Sequence, residues 1–478
     1  MSIPTSVLHL SRKRRTLLGA TWLSPSLVIF CVFMLSHSAF GNASVDLDKT
    51  KTNRAANFDT GPSASMPLAL PDVAPTRFRL MPTRFVLAQQ AVAGYERSGV
   101  SLVGFNGAGF TPAGESDDLG LYYVIPKVVK YLHLSVDKSI DLFILALIAF
   151  PLLVGIAGLY LLVRHQSYRL WGILGLCGVA AISARYGDVY VVQSGIVVAL
   201  VPWILCLARG GPQYPFLNLF AFVTGVGCSV ANILRFQAGT PVMVFAVIIL
   251  LFHVKPKLSR KISLILALSV GALMPQFYLH GVLRNRDRFV LTMERNYVPA
   301  VPYHPTWHNV YTGLGFLNNE YGLKNTDEFA IEKVRTIDPD ALYPSSAYER
   351  VVRSEVFHTI KMHPGFVLYS LMTKIGLLLL IGAICSGPGL IAAARFPKPW
   401  PIECAFWSAM VIASLNGVLV EPRATYLLGF VALCVLYGIV SLDWKNESKA
   451  GQAGAKYETV SLSLEGTPSG REQELPCI

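Results

Sequence analysis

The sequence predicts an all-α integral membrane protein of about ten transmembrane helices with two large exported loops. Three observations predict it. Hydrophobic residues make up 53% of the chain and charged residues only 15%, which leaves more apolar surface than a water-soluble core can absorb. Apolar stretches almost free of charge recur along the chain, most of them near the roughly 20 residues that cross about 30 Å of hydrocarbon. Backbone amides inside lipid have no water to bond, so these stretches must be helices.

A basic N-terminus over 1–15, with Arg12 to Arg15, precedes a first span at 16–36. That span reads as an anchor rather than a cleaved signal, because its apolar run is long for an h-region, although Ser36 to Ala39 offers small residues for cleavage. Either reading exports the loop over 37–138. This loop opens with a polar, Pro-rich and small-residue stretch from Asn42 to Pro82, which reads as flexible, and it ends in an amphipathic helix from Leu119 to His133. Six spans follow within 139–282, at 139–163, 170–184, 189–208, 214–234, 239–253 and 262–282. The segments 170–184 and 239–253 are short for a bilayer. A second exported loop, 283–364, contains Pro302, Pro305, Pro339 and Pro344 and a helix around Ala347 to Met362, and reads as a small folded cap. Three spans at 365–392, 401–420 and 424–442 complete the bundle. The tail, 443–478, is polar and without helical periodicity from Asn446 onward, and reads as disordered and cytoplasmic.

Alternate counting from a cytoplasmic N-terminus puts Arg12–Arg15, Arg164, Arg169, Arg209, Lys255–Lys261, Arg395, Lys398 and Lys445 on one side, the positive-inside pattern. One span more or fewer would throw the later clusters onto the wrong face. The net charge of +12 therefore records orientation, and no nucleic-acid partner is expected. Seven of the eight cysteines lie within spans and Cys477 lies in the tail, so neither large loop can form a disulfide.

Three groups of residues could carry chemistry. The first is the acidic knot Glu115-Ser116-Asp117-Asp118, followed by Leu119-Gly120-Leu121-Tyr122. A carboxylate here could take a proton from an attacking hydroxyl, or hold a divalent cation against phosphate. It could also simply cap the amphipathic helix. The second group is Arg185, Arg235 and Arg423, at the outward ends of three spans. A guanidinium at the bilayer surface can grip a phosphate through paired hydrogen bonds, or snorkel to ordinary headgroups. Asp188 and Tyr190 stand beside Arg185 and could orient it, bind metal or finish a turn. The third group is the stretch from Tyr303 to Tyr311, with His304, Trp307 and His308. These suit sugar stacking and hydrogen bonding, and the two histidines would share a helix face if Pro305 permitted one. There is no P-loop, dinucleotide fingerprint or nucleophile elbow.

Asp117-Asp118-Leu119-Gly120-Leu121-Tyr122, and the arginine that opens a late outward helix in Glu421-Pro422-Arg423-Ala424-Thr425-Tyr426, resemble motifs of the GT-C superfamily. These are multi-span glycosyltransferases, including the protein mannosyltransferases and the lipid A aminoarabinose transferases. The likeness covers the span layout to about residue 442. The acidic pair stands farther from the first span than the family usually places it, which makes Asn42 to Gln90 an insertion. The resemblance implies inverting transfer of a hexosyl or pentosyl group from a polyprenyl-phosphate donor to a lipid, glycan or protein hydroxyl. Asp117 or Asp118 would be the base, and Arg185, Arg235 and Arg423 would hold the donor phosphate. Tyr122, His304, Trp307 and His308 would form the acceptor or sugar site. The only cofactor to consider is a divalent cation, Mg or Mn, at Glu115, Asp117 or Asp188. The partners are then membrane lipids, the lipid-linked sugar and its acceptor. The expected location is a bacterial inner membrane with the site facing the periplasm. A polysaccharide polymerase or ligase and a lipid-linked glycan transporter are the alternative readings. Pro151, Pro202 and Pro275, inside spans, keep the transporter among them.

Overall fold

The computed structural model of the protein describes residues 80–113, 118–210, 216–253, 258–294, 305–341, 343, 345–396 and 398–445. Fifteen helices and one two-stranded hairpin make up this part. The expected first span at 16–36, the basic N-terminus, most of the Asn42–Pro82 stretch and the tail beyond Lys445 lie outside the described residues.

The segment before the bundle is folded over residues 80–113 and from 118 onward. Helix α1 (Pro82–Ser98) starts with Pro at its first turn and ends at Gly99, whose φ of 70° closes the helix in the left-handed region. Strands β1 (Val103–Phe105) and β2 (Phe110–Pro112) pair antiparallel. Helix α2 (Leu119–Leu132) occupies the span expected for the amphipathic helix and buries Leu121, Tyr122 and Ile125. The last nine residues of the Asn42–Gln90 stretch begin α1 and include Arg84.

Eight helices are long and apolar enough to cross a membrane. They are α3 (Val136–Leu162), α4 (Gln166–Tyr186), α5 (Val191–Gly210), α6 (Leu217–Leu234), α8 (Leu258–Met293), α12 (Pro364–Ser386), α14 (Trp400–Leu419) and α15 (Ala424–Lys445). Helix α7 (Thr240–Ile248) continues as a π-helical turn through His253 and remains the short segment expected at 239–253. With its flanks included, the 170–184 segment reaches full length as α4.

Three boundaries differ from the sequence expectation, each for a local reason. The stretch expected as one span at 365–392 breaks at Gly387, whose φ of 50° precedes Pro388, and a separate short helix α13 runs Pro388–Arg395. The span expected to end at 282 continues to Met293 as a helix of 36 residues, roughly 54 Å at 1.5 Å per residue, so α8 rises well beyond the bilayer. Charged residues after 282 ended the apolar signal but not the helix. The last span continues past 442, and Asp443 is buried because it accepts hydrogen bonds from the Arg164 and His165 amides and from Arg209 Nη1 at 3.1 Å.

Helix α15 is the hub of the bundle: 89% of its apolar window is buried, against 17–67% for the other seven long helices. Helices α6 and α8 cross at the closest approach, where a Cβ on Gly225 would meet the Leu268 carbonyl at 2.2 Å and one on Gly271 would meet the Phe222 carbonyl at 2.1 Å. Without a hydrophobic force between helices in lipid, such small-residue crossings let backbones pack and supply the attraction. Above the bundle, α9 (Thr306–Leu314), α10 (Asp327–Ile337) and α11 (Ser346–Met362) form the cap expected in the second exported loop, around Tyr311, Val334, Tyr348 and Val352. Thr326 and Ser345 cap α10 and α11 by accepting from the Phe329 and Tyr348 amides. Gly225→Leu should lower the melting temperature of the detergent-solubilised protein, at a cost of at least about 1–3 kcal/mol for an overpacked contact. Gly281→Leu, where a Cβ meets nothing within 4 Å, should leave it unchanged.

Candidate functional site

A polar cavity of about 400 Å³ lies where the cap meets the cap-side ends of the spans. The cavities described within the spans are of about 10 to 40 Å³. Its floor comes from α1 and the bundle through Arg84, Tyr190, Arg235 and Tyr426, and its far wall comes from the cap through His308, Thr312, Asn325 and Asp327. Glu421, Arg423 and Asn416 close the side next to α15. Phe236 and Met81, both large apolar side chains with more than a third of their surface exposed, stand at its edge.

The floor is a buried network of charges. Arg84 donates from Nε to Asp118 Oδ2 at 2.5 Å and from Nη1 to Asp188 Oδ2 at 2.6 Å. Arg235 donates to Asp118 Oδ1 at 3.2 Å and to the Tyr190 hydroxyl at 2.9 Å. Both guanidiniums lie over the Tyr190 ring, at 5.2 and 4.3 Å. Burial works against the Arg84 charge, yet Asp118 and Asp188 outweigh it and hold the guanidinium protonated more firmly than a free one. Burial pushes the Asp188 carboxyl upward, against the Arg84 charge and the Val189 amide. The Tyr122 phenol is raised as well, by burial and then by the nearby Asp118 charge.

Of the expected residues, Asp118, Asp188, Tyr190 and Arg235 meet here. Asp118 sits at the N-cap of α2 but makes no side-chain cap; its two oxygens face Arg84 and Arg235 instead. Asp188 bonds a guanidinium and the Val189 amide, so the structure presents it as an ion-pair partner rather than a metal ligand. Among the described residues no group of three metal-binding side chains gathers. Glu115, Asp117 and His304 lie outside the described residues. Arg423, 63% exposed, pairs with Glu421 at the cavity rim. Arg185 is exposed and does not line the cavity.

The third candidate group divides. Trp307 packs in the cap against Phe357 and Arg353, away from the cavity lining. His308 is buried and lines the cavity, its Nδ1 2.7 Å from the Tyr348 hydroxyl and its Nε2 3.1 Å from Asp327 Oδ1. Glu349 accepts from the Trp307 and His308 amides, at 2.8 and 3.1 Å, and so satisfies the N-terminus of α9.

Arg84, Asn325, Asp327 and Lys374 escape a sequence reading. Arg84 lies in a stretch whose composition reads as linker, and Asp327 looks like an ordinary first-turn acid of a surface helix. Lys374, in the middle of the apolar run of α12, is the one that could have been found, since an intramembrane lysine needs a partner. It donates to the carbonyls of Gly313, Val418 and Val420 at 2.8, 3.2 and 2.8 Å, tying the cap to the last turn of α14. A Cβ on Gly313 would meet the Leu419 carbonyl at 1.9 Å, so cap and bundle touch backbone to backbone there. Asn325 bonds Glu421 at 2.7 Å and makes a second tie.

No family model, curated protein or solved structure matches the chain.

Asp118→Asn leaves two buried guanidiniums short of a counter-charge and should cost about 3–5 kcal/mol, read as a fall in melting temperature. Arg423→Ala, at the exposed rim, should cost less than about 1 kcal/mol.

Proposed function

We propose that the protein is a glycosyltransferase that moves a sugar from a polyprenyl phosphate to a hydroxyl of a lipid, glycan or protein, in this cavity at the cap end of the bundle and outside the cytoplasm. The observation that carries the reading is the position of the cavity: a polar chamber with arginines in its floor and rim, opening beside exposed apolar side chains at the level of the span ends. A lipid-linked phosphate needs that pairing of environments, its chain in lipid and its headgroup against fixed donors.

In this reading Arg84, Arg235 and Arg423 face the donor phosphate. The bond between the anomeric carbon and the phosphate oxygen breaks, and its electron pair leaves with the phosphate. The acceptor oxygen bonds the same carbon from the opposite face, with inversion, and its proton passes to a carboxylate. Asp118 fits this last task poorly, because both of its oxygens are already taken by the guanidiniums of Arg84 and Arg235. Its role is to hold Arg84 and Arg235 in place. The carboxylates that line the cavity, Asp327, Glu328 and Glu421, are better sited as the base.

A polymerase or ligase would run the same displacement with a lipid-linked glycan, so only the product separates it from the leading reading. A transporter is less well supported, since the cavities described within the spans are of about 10 to 40 Å³ and the large polar one lies at the cap end. Arg235→Ala should abolish addition of the one sugar that a deletion of the protein removes from the cell's glycans, with the protein still present in the membrane. Glycan composition by mass spectrometry checks it, and an unchanged profile in the deletion strain would count against a transferase of any kind.

A further inference from the structure

The cap contains a chain of three hydrogen-bonding side chains that ends at the cavity. Tyr348 of α11 meets His308 of α9 at Nδ1, and Nε2 of the same ring meets Asp327, the first residue of α10. The histidine is 2% exposed, so its ring is fixed by its two partners rather than by solvent. With the tyrosine hydroxyl donating to Nδ1, the ring's Nε2–H points at the carboxylate. Among the described residues Asp327 accepts a side-chain hydrogen bond from His308 alone. One of its oxygens therefore remains for a ligand, whereas the Glu421 carboxylate is shared between Arg423 and Asn325.

We propose that Asp327 is the proton acceptor of the transfer reaction and that His308 is its positioning residue. This rests on the transferase reading above. As the acceptor oxygen bonds the anomeric carbon and the phosphate departs with its electron pair, the hydroxyl proton passes to the second oxygen of Asp327. The His308 N–H holds the other oxygen throughout, so the carboxylate neither swings away nor turns its occupied side to the substrate.

Charge supports the assignment. The hydrogen bond from His308 holds the Asp327 carboxyl below the usual carboxylate range, with the Arg423 guanidinium acting in the same direction. The base is then ionised across neutral pH and is lost only as pH falls through that lowered value. The groups facing the pair are Arg423 beside Glu421, Tyr343 with its ring 5.1 Å from the imidazole, Tyr348 and Glu349 from α11, and Glu328 on the same helix.

The test uses the full chain, expressed in the deletion strain. Membranes from these cells are assayed for incorporation of the sugar that the deletion removes, across a range of pH. Asp327→Asn should slow incorporation by about 100-fold or more, the usual reach of a general base. In lipid nanodiscs it should still bind sugar-free polyprenyl phosphate, which Arg235→Ala should not. His308→Phe should move the acid limb of the profile to higher pH, because Asp327 loses its donor, and His308→Gln, which keeps an N–H, should restore it. Asp327→Asn with normal incorporation would overturn the base assignment and leave the transferase reading standing. If that variant does not accumulate, an acid limb unmoved by His308→Phe overturns the assignment in its place. A deletion that changes no glycan would overturn both.

Discussion

The structure depends on the burial of one guanidinium. Arg84 belongs to α1, outside the bundle, yet its side chain ends between Asp118 at the start of α2 and Asp188 in the turn after α4. Removing an ion from water costs several kcal/mol unless partners and hydrogen bonds replace the water. Arg84 can be buried only if both carboxylates are in place, and they can be in place only if α1, α2 and the α4–α5 turn sit correctly with respect to one another. Arg235 extends the same demand to α6. Four separate pieces of chain are thereby held in one arrangement by charges that would each be unfavourable alone. Apolar packing around Phe85, Leu121 and Ile140 drives the association, but it would tolerate small shifts that the ion pairs do not.

The cap is fixed by a second set of buried polar contacts with a different logic. Lys374 brings its ammonium to the end of α14 and donates to the carbonyls of Gly313, Val418 and Val420, at or next to the last turns of α9 and α14. Glu349 does the complementary work at the start of α9, where amide protons are in excess. Both devices use the unsatisfied ends of helices as the other half of a contact, so the orientation of the cap follows from where those helices stop. The cavity keeps its shape because its two walls are joined at Lys374 and again at Asn325 to Glu421.

The span layout was legible because its signal is long: a run of some 20 apolar residues leaves few other structures open to the backbone. Of the nine expected spans that fall on described residues, eight contain helices long and apolar enough to cross a membrane, one of them ending early at Gly387, and 239–253 is a shorter apolar helix. The boundaries of α8 and α12 were not legible, because one was masked by charge outside the membrane and the other turned on the single pair Gly387–Pro388. Of the candidate site, the residues next to strong local features emerged: Asp118 beside its helix start, Arg235 and Arg423 at span ends, His308 in an aromatic cluster. What the sequence could not show is pairing. Arg84 is 104 residues from Asp188, and nothing in either neighbourhood announces the other. Asp118 looked like a base or a cap for the same reason: the two guanidiniums that take its oxygens are distant in the chain.

Pairing also changes what the arginines can do. In the floor, Arg84 and Arg235 carry two positive charges and Asp118 and Asp188 two negative ones, so the network is close to neutral. The phosphate of the proposed donor would find rigid donors there but little net attraction. Arg423, the arginine that solvent reaches, stands outside that network at the cavity rim, paired with Glu421. On the proposed reading, an outer arginine would meet the phosphate first and an inner pair would orient it. Such a division would suit the proposed donor, held by its lipid chain in the plane of the membrane: lateral diffusion would supply the encounter, and the site would add the angle at which the sugar meets the cap.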